Sequence, residues 1–266
     1  MDYVPAKTIV TQVKYHNWFG IDYNMNIYRG CSHGCIYCDS RSLCYRVENF
    51  DTIRAKQDAL QIIRDDLLKK RKRGVIGTGA MSDPYNPFEK EHKLTRNALE
   101  LINAYRFGVA IATKSHLVCR DAAVLKDIQV HSPVLVKMTI TTGDDTLCKI
   151  VEPNAPLSSE RFLALKALSD SGVYAGILMM PLLPLINDTE ENIINIVHKA
   201  KENGARFIYG DMGMTLRTGN REYYYENLDK HFPGIKEKYI KKYGERYHCG
   251  SPNAKRLWNI FAGECQ

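Results

Sequence analysis

A short apolar run followed by a stretch of helical periodicity recurs along most of this chain, and that alternation limits its possible folds more than any other feature. Gly74-Val-Ile-Gly77, Val109-Ala-Ile-Ala112, Leu135 to Ile140, Tyr174 to Met179 and Arg206 to Tyr209 read as buried strands, with another near residues 20–27. Helical patterns lie between them. Asp51 is placed to cap a helix through Ile53, Ala59, Leu60, Ile63 and Leu67. Thr95 opens the next, through Ala98, Leu99, Leu101 and Ile102, and a third runs from Arg120 to Asp127. Ser158 or Ser159 caps a fourth that Gly172 ends, and Asp188 with Glu191 resembles a capping box for a fifth that Gly204 ends. Six strands separated by five helices imply an α/β fold with parallel strands and helices outside. Periodicity alone does not separate an open sheet from a barrel.

At 266 residues and 44% hydrophobic, the chain has material for one large core, burying about three quarters of its unfolded surface. No run of 18 apolar residues occurs, so no membrane span is expected. The start, Met1 to Pro5, lacks the basic-then-apolar layout of a signal peptide. Eight cysteines in a chain this long do not resemble a disulfide framework, and a reducing cytoplasm is the expected compartment. The net charge of +7 is unevenly spread. Lys230 to Arg256 holds eight Lys or Arg against two acids (Glu237 and Glu245), a local +6. A second basic run, Lys69 to Arg73, ends a predicted helix.

Three cysteines, Cys31, Cys35 and Cys38, stand in the run Asn26-Ile-Tyr28-Arg-Gly30-Cys31-Ser-His33-Gly34-Cys35-Ile-Tyr37-Cys38-Asp39. Three thiolates at this spacing leave one iron of a four-iron cluster without a protein ligand, an open site where a small molecule can bind. They also suit zinc with Cys44 or His33 as a fourth ligand, or unligated thiols in a reducing cell.

The run resembles the cluster loop of the radical SAM superfamily, down to the aromatic Tyr37 before the last cysteine. It is closer still to the spore photoproduct lyase-like branch, whose Asn-x-Tyr-x-Gly-Cys-x-His-x-Cys-x-Tyr-Cys is matched by Asn26 to Cys38. Further likeness lies in Thr78 to Tyr85, in Ala112-Thr-Lys114-Ser115 with Arg120-Asp121, and in Met179 to Pro184 followed by Asn187-Asp188-Thr189. The resemblance implies a partial (βα)6 TIM-type barrel over 20–215, an N-terminal segment 1–19, and a small basic, aromatic-rich C-terminal extension over 216–266. It implies a [4Fe-4S] cluster on Cys31, Cys35 and Cys38, with S-adenosylmethionine chelating the unique iron, and an electron donor such as a flavodoxin or ferredoxin. The cofactor's C5′–S bond would be cleaved to a 5′-deoxyadenosyl radical that takes hydrogen from the substrate. The branch's hydrogen-donating cysteine falls at Ala80, which has no thiol to give.

In βα barrels function gathers at the C-terminal strand ends. The cysteine loop, Thr78 to Asp83, Lys114, Thr139 to Thr142, Met179 and Asp211 all fall there. Gly30 and Gly34 would let backbone approach the cluster. The resemblance puts Gly77, Gly79 and Ser82 near the cofactor's methionine amino group, and Lys114 against its carboxylate. Thr139 and Thr141 would meet ribose or methionine, and Met179 the adenine through its backbone. Tyr28 and Tyr85 are candidates to shape the substrate cavity, Asp83 and Asp211 candidate polar contacts. Cys249, with Cys265 a spare thiol, is a candidate hydrogen donor.

Bases and aromatics interleave in Arg221 to Tyr225, Lys230 to Phe232 and Tyr239 to Tyr243. Such a groove binds single-stranded nucleic acid; the other reading, which the pattern favours, is an amphipathic helix covering the barrel's open side with its lysines in water. The favoured function is a radical SAM enzyme acting on an unidentified substrate, with nucleic acid the first candidate. A DNA photoproduct lyase with another hydrogen donor and a non-catalytic metalloprotein binding nucleic acid or protein are the alternatives.

Overall fold

The computed structural model describes residues 2–14 and 19–266; Met1 and residues 15–18, within the expected N-terminal segment, lie outside the described residues. The chain starts with β1 (Asp2–Val4), β2 (Val10–Gln12), β3 (Tyr23–Met25) and β4 (Tyr28–Arg29). After a loop come β5 (Arg54–Lys56) and α1 (Ala59–Lys69), then β6 (Val75–Thr78), α2 (Glu89–His92) and α3 (Leu94–Ala104). Next are β7 (Gly108–Thr113), α4 (Ala122–Gln129), β8 (Val134–Thr139), α5 (Asp145–Val151), α6 (Ser158–Asp170), β9 (Ala175–Met179), α7 (Glu190–Glu202) and β10 (Ile208–Gly210). The C-terminal part adds β11 (Gly213–Thr215), α8 (Asn220–His231), α9 (Ile235–Tyr243), β12 (His248–Gly250) and α10 (Ala254–Glu264).

The main sheet runs β10-β9-β8-β7-β6-β3-β2. Its first six strands are parallel neighbours, and β2 closes the edge antiparallel to β3. With helices between successive strands, this is the expected α/β partial barrel. The alternation of a strand's two faces explains which residues sit where. Ile76, Val109, Ile111, Val136, Met138 and Ile177 are buried in the main hydrophobic core. They share it with Ile63 and Leu67 of α1, Leu99 and Ile102 of α3, Leu125 of α4, Leu165 of α6 and Ile193 of α7. The alternate positions Gly77 of β6 and Ala110 and Ala112 of β7, with Gly79 just beyond β6, line a cavity instead. Small side chains on the inner face are what leave the barrel hollow.

A second buried cluster joins Cys35, Ile36 and Tyr37 of the cysteine loop to Met214, Leu216, Tyr224, Leu228, Tyr239, Tyr243 and Cys249. The C-terminal extension therefore packs directly on the loop. Among the described residues no helix is long and apolar enough to cross a membrane.

Four local expectations change. Residues 54–56 form a strand, not the start of a helix, because Ala55 is buried between β1 and β4. Asp51 caps nothing there and pairs with Arg41. The cap of α7 is Thr189, whose hydroxyl accepts from Asn192 N at 3.1 Å; Asp188 is turned away, accepting from Leu185 N and Ser251 Oγ. Ser158 is the first residue of α6 and Leu157 its cap. Finally, α5 is a helix that the spacing did not mark, capped by Asp144, which accepts from Thr146 N at 2.8 Å.

Candidate functional site

The cysteine loop leaves β4 at Gly30, whose φ of +82° and tight quarters suit only glycine, since a Cβ would strike the carbonyls of Phe50 and Thr52. Cys31 N donates to Phe50 O at 2.8 Å, and Ser82 Oγ donates to Gly30 O at 2.5 Å. The far side is held by the α5–α6 connection. Ile36 N donates to Val151 O, Asn154 N to His33 O, and Asn154 Nδ2 to Ser32 O, all at 3.0 Å. The loop is thus clamped from two directions before any ligand is considered.

Beneath it lies a buried charge network. Glu152 is 1% exposed; its Oε2 meets Arg161 Nη1 at 2.5 Å, and its Oε1 accepts from Tyr37 OH and lies 3.9 Å from Lys114 Nζ. Arg161 is fully buried and also donates to Pro156 O and Thr139 O at 2.8 and 2.9 Å. Burial alone would raise the Glu152 pKa, but Arg161 and Lys114 outweigh it and hold the carboxyl at about 2. Burial pulls the Lys114 ammonium the other way, and the Cys35 and Glu152 charges more than restore it.

A second clip is Asp83. Its carboxylate accepts from Tyr85 N, Thr113 Oγ1 and Lys114 N at 2.9, 2.7 and 2.8 Å, and lies 3.6 Å from His33 Nδ1. It binds the ends of β6 and β7 to the cysteine loop. Burial pushes the His33 imidazole pKa down.

The open ends of the strands frame a cavity of about 530 Å³. Tyr37, Cys38, Gly77, Gly79, Lys114, Thr139, Met180 and Asp211 line it, so the cysteine loop and the ends of five strands share one space. Gly79 takes φ +95°, and a Cβ there would meet the Ala112 carbonyl. At the rim, the Arg217 guanidinium lies 4.4 Å from the Tyr247 ring centroid and 5.6 Å from that of Tyr45.

Other candidates lie elsewhere. Tyr28 is buried outside the cavity lining and donates to Glu89, which also pairs with Arg120 at 3.1 Å. Tyr85 is buried near Arg120, also away from the lining. Ser82 and Asp83 are used in the clips described above. The Thr141 carbonyl takes Asn187 Nδ2 and Asn192 Nδ2 at 2.8 and 3.0 Å. Met179 packs in the main core with its carbonyl 3.4 Å from Asp211 N, while its neighbours Leu178 and Met180 line the cavity. Cys249 is fully buried on β12 among Tyr224, Tyr239 and Tyr243, not on the lining. Tyr224, Tyr239 and Tyr243 are core residues, so the aromatics of α8 and α9 do not form an open stacking platform, and Lys238, Lys241 and Lys242 face water.

Do the cysteines fit a cluster? Among the described residues no three His, Cys, Asp or Glu side chains converge to hold a single metal ion. A lone zinc draws all its thiolates within about 2.3 Å of one centre. A cluster attaches each thiolate to a different iron, so the ligands stand further apart. His33 is engaged with Asp83 and Cys44 is exposed beside Arg217, so neither completes a zinc site. Burial raises all three thiols, Cys31 to about 11, and a metal centre would have to displace their protons. Three free thiols on one loop are the donor chemistry that iron and sulfide with one open corner would take.

Glu152 and Arg161 escaped the sequence reading. Arg161 did leave a trace, since it falls on the same helical stripe as the buried Leu165 and Leu168.

A family model described as the radical SAM superfamily matches residues 25–197. An uncharacterized protein of Methanocaldococcus jannaschii, MJ0683, is 35% identical over 174 residues, which cover 64% of this chain and 64% of that protein. An uncharacterized protein of Mycobacterium tuberculosis, Rv2578c, is 26% identical over 235 residues, 86% of this chain and 68% of that one. The chain thus spans only about two thirds of the length of these relatives. Among solved structures, a spore photoproduct lyase complexed with dinucleoside spore photoproduct superposes with a TM-score of 0.72 at 14% identity, over 98% of this chain and 78% of that one. The radical S-adenosylmethionine methyltransferase TsrM of Kitasatospora setae gives 0.58 at 11% identity, over 91% and 51%. At these identities the structures establish likeness of fold.

Proposed function

The chain belongs to the radical SAM superfamily, and on that premise we propose an enzyme that abstracts hydrogen from a substrate held in the 530 Å³ cavity. When bound, a [4Fe-4S] cluster on Cys31, Cys35 and Cys38 together with S-adenosylmethionine supplies a 5′-deoxyadenosyl radical. The chain's own residues supply place and exclusion. Cys38 and Tyr37 bring the loop to the cavity wall, Gly79 allows a ligand against backbone, and Lys114 offers an ammonium for a carboxylate. The convergence of these residues on one cavity is the observation that carries the reading.

Thiol-based dimer repair is disfavoured. Ala80 lines the cavity where the resemblance expects a cysteine, and Cys249 is sealed away from it. A nucleic-acid substrate draws support from the outward lysines of α9 and the local +6 charge. Six phosphate contacts would give a log–log salt dependence of about −5; a flat response removes that partner.

Anaerobic reconstitution and reduction with S-adenosylmethionine tests the main reading. Release of 5′-deoxyadenosine is expected. An intact cluster without release, or stoichiometric zinc in anaerobically purified protein, overturns it in favour of a non-catalytic metalloprotein.

A further inference from the structure

Building on the proposed function, we infer that the barrel lumen receives an anionic group of the substrate, a carboxylate or phosphate, on the ammonium of Lys137, with the Asn24 amide as a second polar group on the same lining.

Lys137 stands in the middle of β8, sharing its inner face with Thr139. It is 3% exposed and lines the cavity. Its register partners on the flanking strands are Ala112 and Gly176, which carry no polar side chain to meet it. Among the described residues no carboxylate, carbonyl or hydroxyl bonds its Nζ; its one neighbour of note is the Phe19 ring, 3.8 Å away at the centroid. The Asn24 side chain lines the same cavity and has no hydrogen-bond partner among the described residues.

An ammonium buried without a partner either gives up its proton or takes a ligand of opposite charge, and a cavity beside it leaves room for the ligand. Lys137 lies two residues below Thr139, about 7 Å deeper at the usual strand rise. Asp39 and Asp211 line the cavity too, and both sit at its upper end, in the cysteine loop and beyond β10. Acids above and a cation below would orient a substrate anion-first, with its remaining atoms toward Cys38. Burial also pushes the Lys137 pKa down to about 8, which keeps its amine reactive near neutral pH.

The test takes anaerobically reconstituted holoenzyme with phenyl phosphate and benzoate as probes and benzyl alcohol as the uncharged control. Calorimetry reads binding, and peptide mass spectrometry reads protection of Lys137 from reductive methylation. At least one anion should bind at a single site and shield Lys137, while benzyl alcohol does neither. Lys137→Met should lower that affinity tenfold or more with iron content unchanged. The tighter anion tells phosphate from carboxylate substrates. Absence of binding by both anions, undiminished binding by Lys137→Met, or methylation unaffected by the anion overturns the inference. Should Lys137→Met lose its iron, the wild-type protection result decides. Neither readout involves turnover, so failure to release 5′-deoxyadenosine would defeat the proposed function while leaving this result standing.

Discussion

Lys114 and Lys137 line one cavity from adjacent strands, yet their surroundings are opposite. Lys114 faces Glu152, which Arg161 and Tyr37 also hold. Lys137 faces glycine, alanine and one aromatic ring. A cation–π contact is worth about 1–2 kcal/mol, whereas stripping water from an ammonium costs several kcal/mol. The wall beside the cysteines is therefore charge-compensated within the protein, which holds the loop in place while Lys114 still reaches the cavity. The lumen wall is left electrically incomplete, which is the mark of a surface made for something that arrives later. Breaking one wall should look unlike breaking the other.

The largest effect should come from the cysteine side. Cys38→Ala removes a proposed ligand that reaches the cavity. Iron content and visible absorbance after reconstitution should collapse, and 5′-deoxyadenosine release should be abolished. Retention of a full cluster would shift the metal centre away from this loop.

Next is the paired network. Glu152→Ala strands Arg161 and leaves Lys114 without its carboxylate, and should cost about 3–5 kcal/mol by chemical denaturation, as broken buried pairs do. Removing both partners, as in Glu152→Leu with Arg161→Met, should recover much of that loss. If Glu152→Ala unfolds no more easily than the parent chain, the wall is not held by charge.

Much of the frame was open to sequence reasoning and much of this network was not. The strands between Val75 and Gly210 are short apolar runs set between helices, a pattern that survives any detail of packing. By contrast β5 exists only because β1 and β4 flank it, one of them fifty residues away, so Arg54–Lys56 had no local signal. The α7 cap was missed by one residue because Asp188 and Thr189 share capping chemistry, and distant Ser251 draws Asp188 off. The cysteine triplet declared itself by spacing. Glu152 did not, because its importance comes from Tyr37, Lys114 and Arg161 meeting it from separate elements. Lys137 was legible in principle, as a charge inside an apolar strand.

The lumen wall should answer differently. Folded Lys137 loses its proton near pH 8 and the unfolded residue near 10.5. Between those values the unfolded chain binds more protons, so folding gains as pH rises. Below pH 8 both states are charged and the burial penalty stands in full. Lys114, Asp39 and Asp211 share the cavity, yet burial alone moves Lys137. The stability of the parent chain relative to Lys137→Met should therefore climb by on the order of 3 kcal/mol from pH 8 to 10.5. A difference independent of pH would mean that Lys137 is paired or hydrated in solution.

The smallest effect sharpens the contrast most. Asn24 is half-buried on the lumen lining and its amide bonds to no described residue. Asn24→Ala removes no internal hydrogen bond, so its stability should stay within about 0.5 kcal/mol of the parent chain. The phenyl phosphate or benzoate affinity should nevertheless fall severalfold, because a hydrogen bond to a charged partner is stronger than one between neutral groups. A side chain that the fold can lose but a ligand cannot is one whose partner is not part of the protein. If Asn24→Ala instead unfolds readily and binds the anion normally, the amide serves the barrel and the lumen's polar groups do not act together.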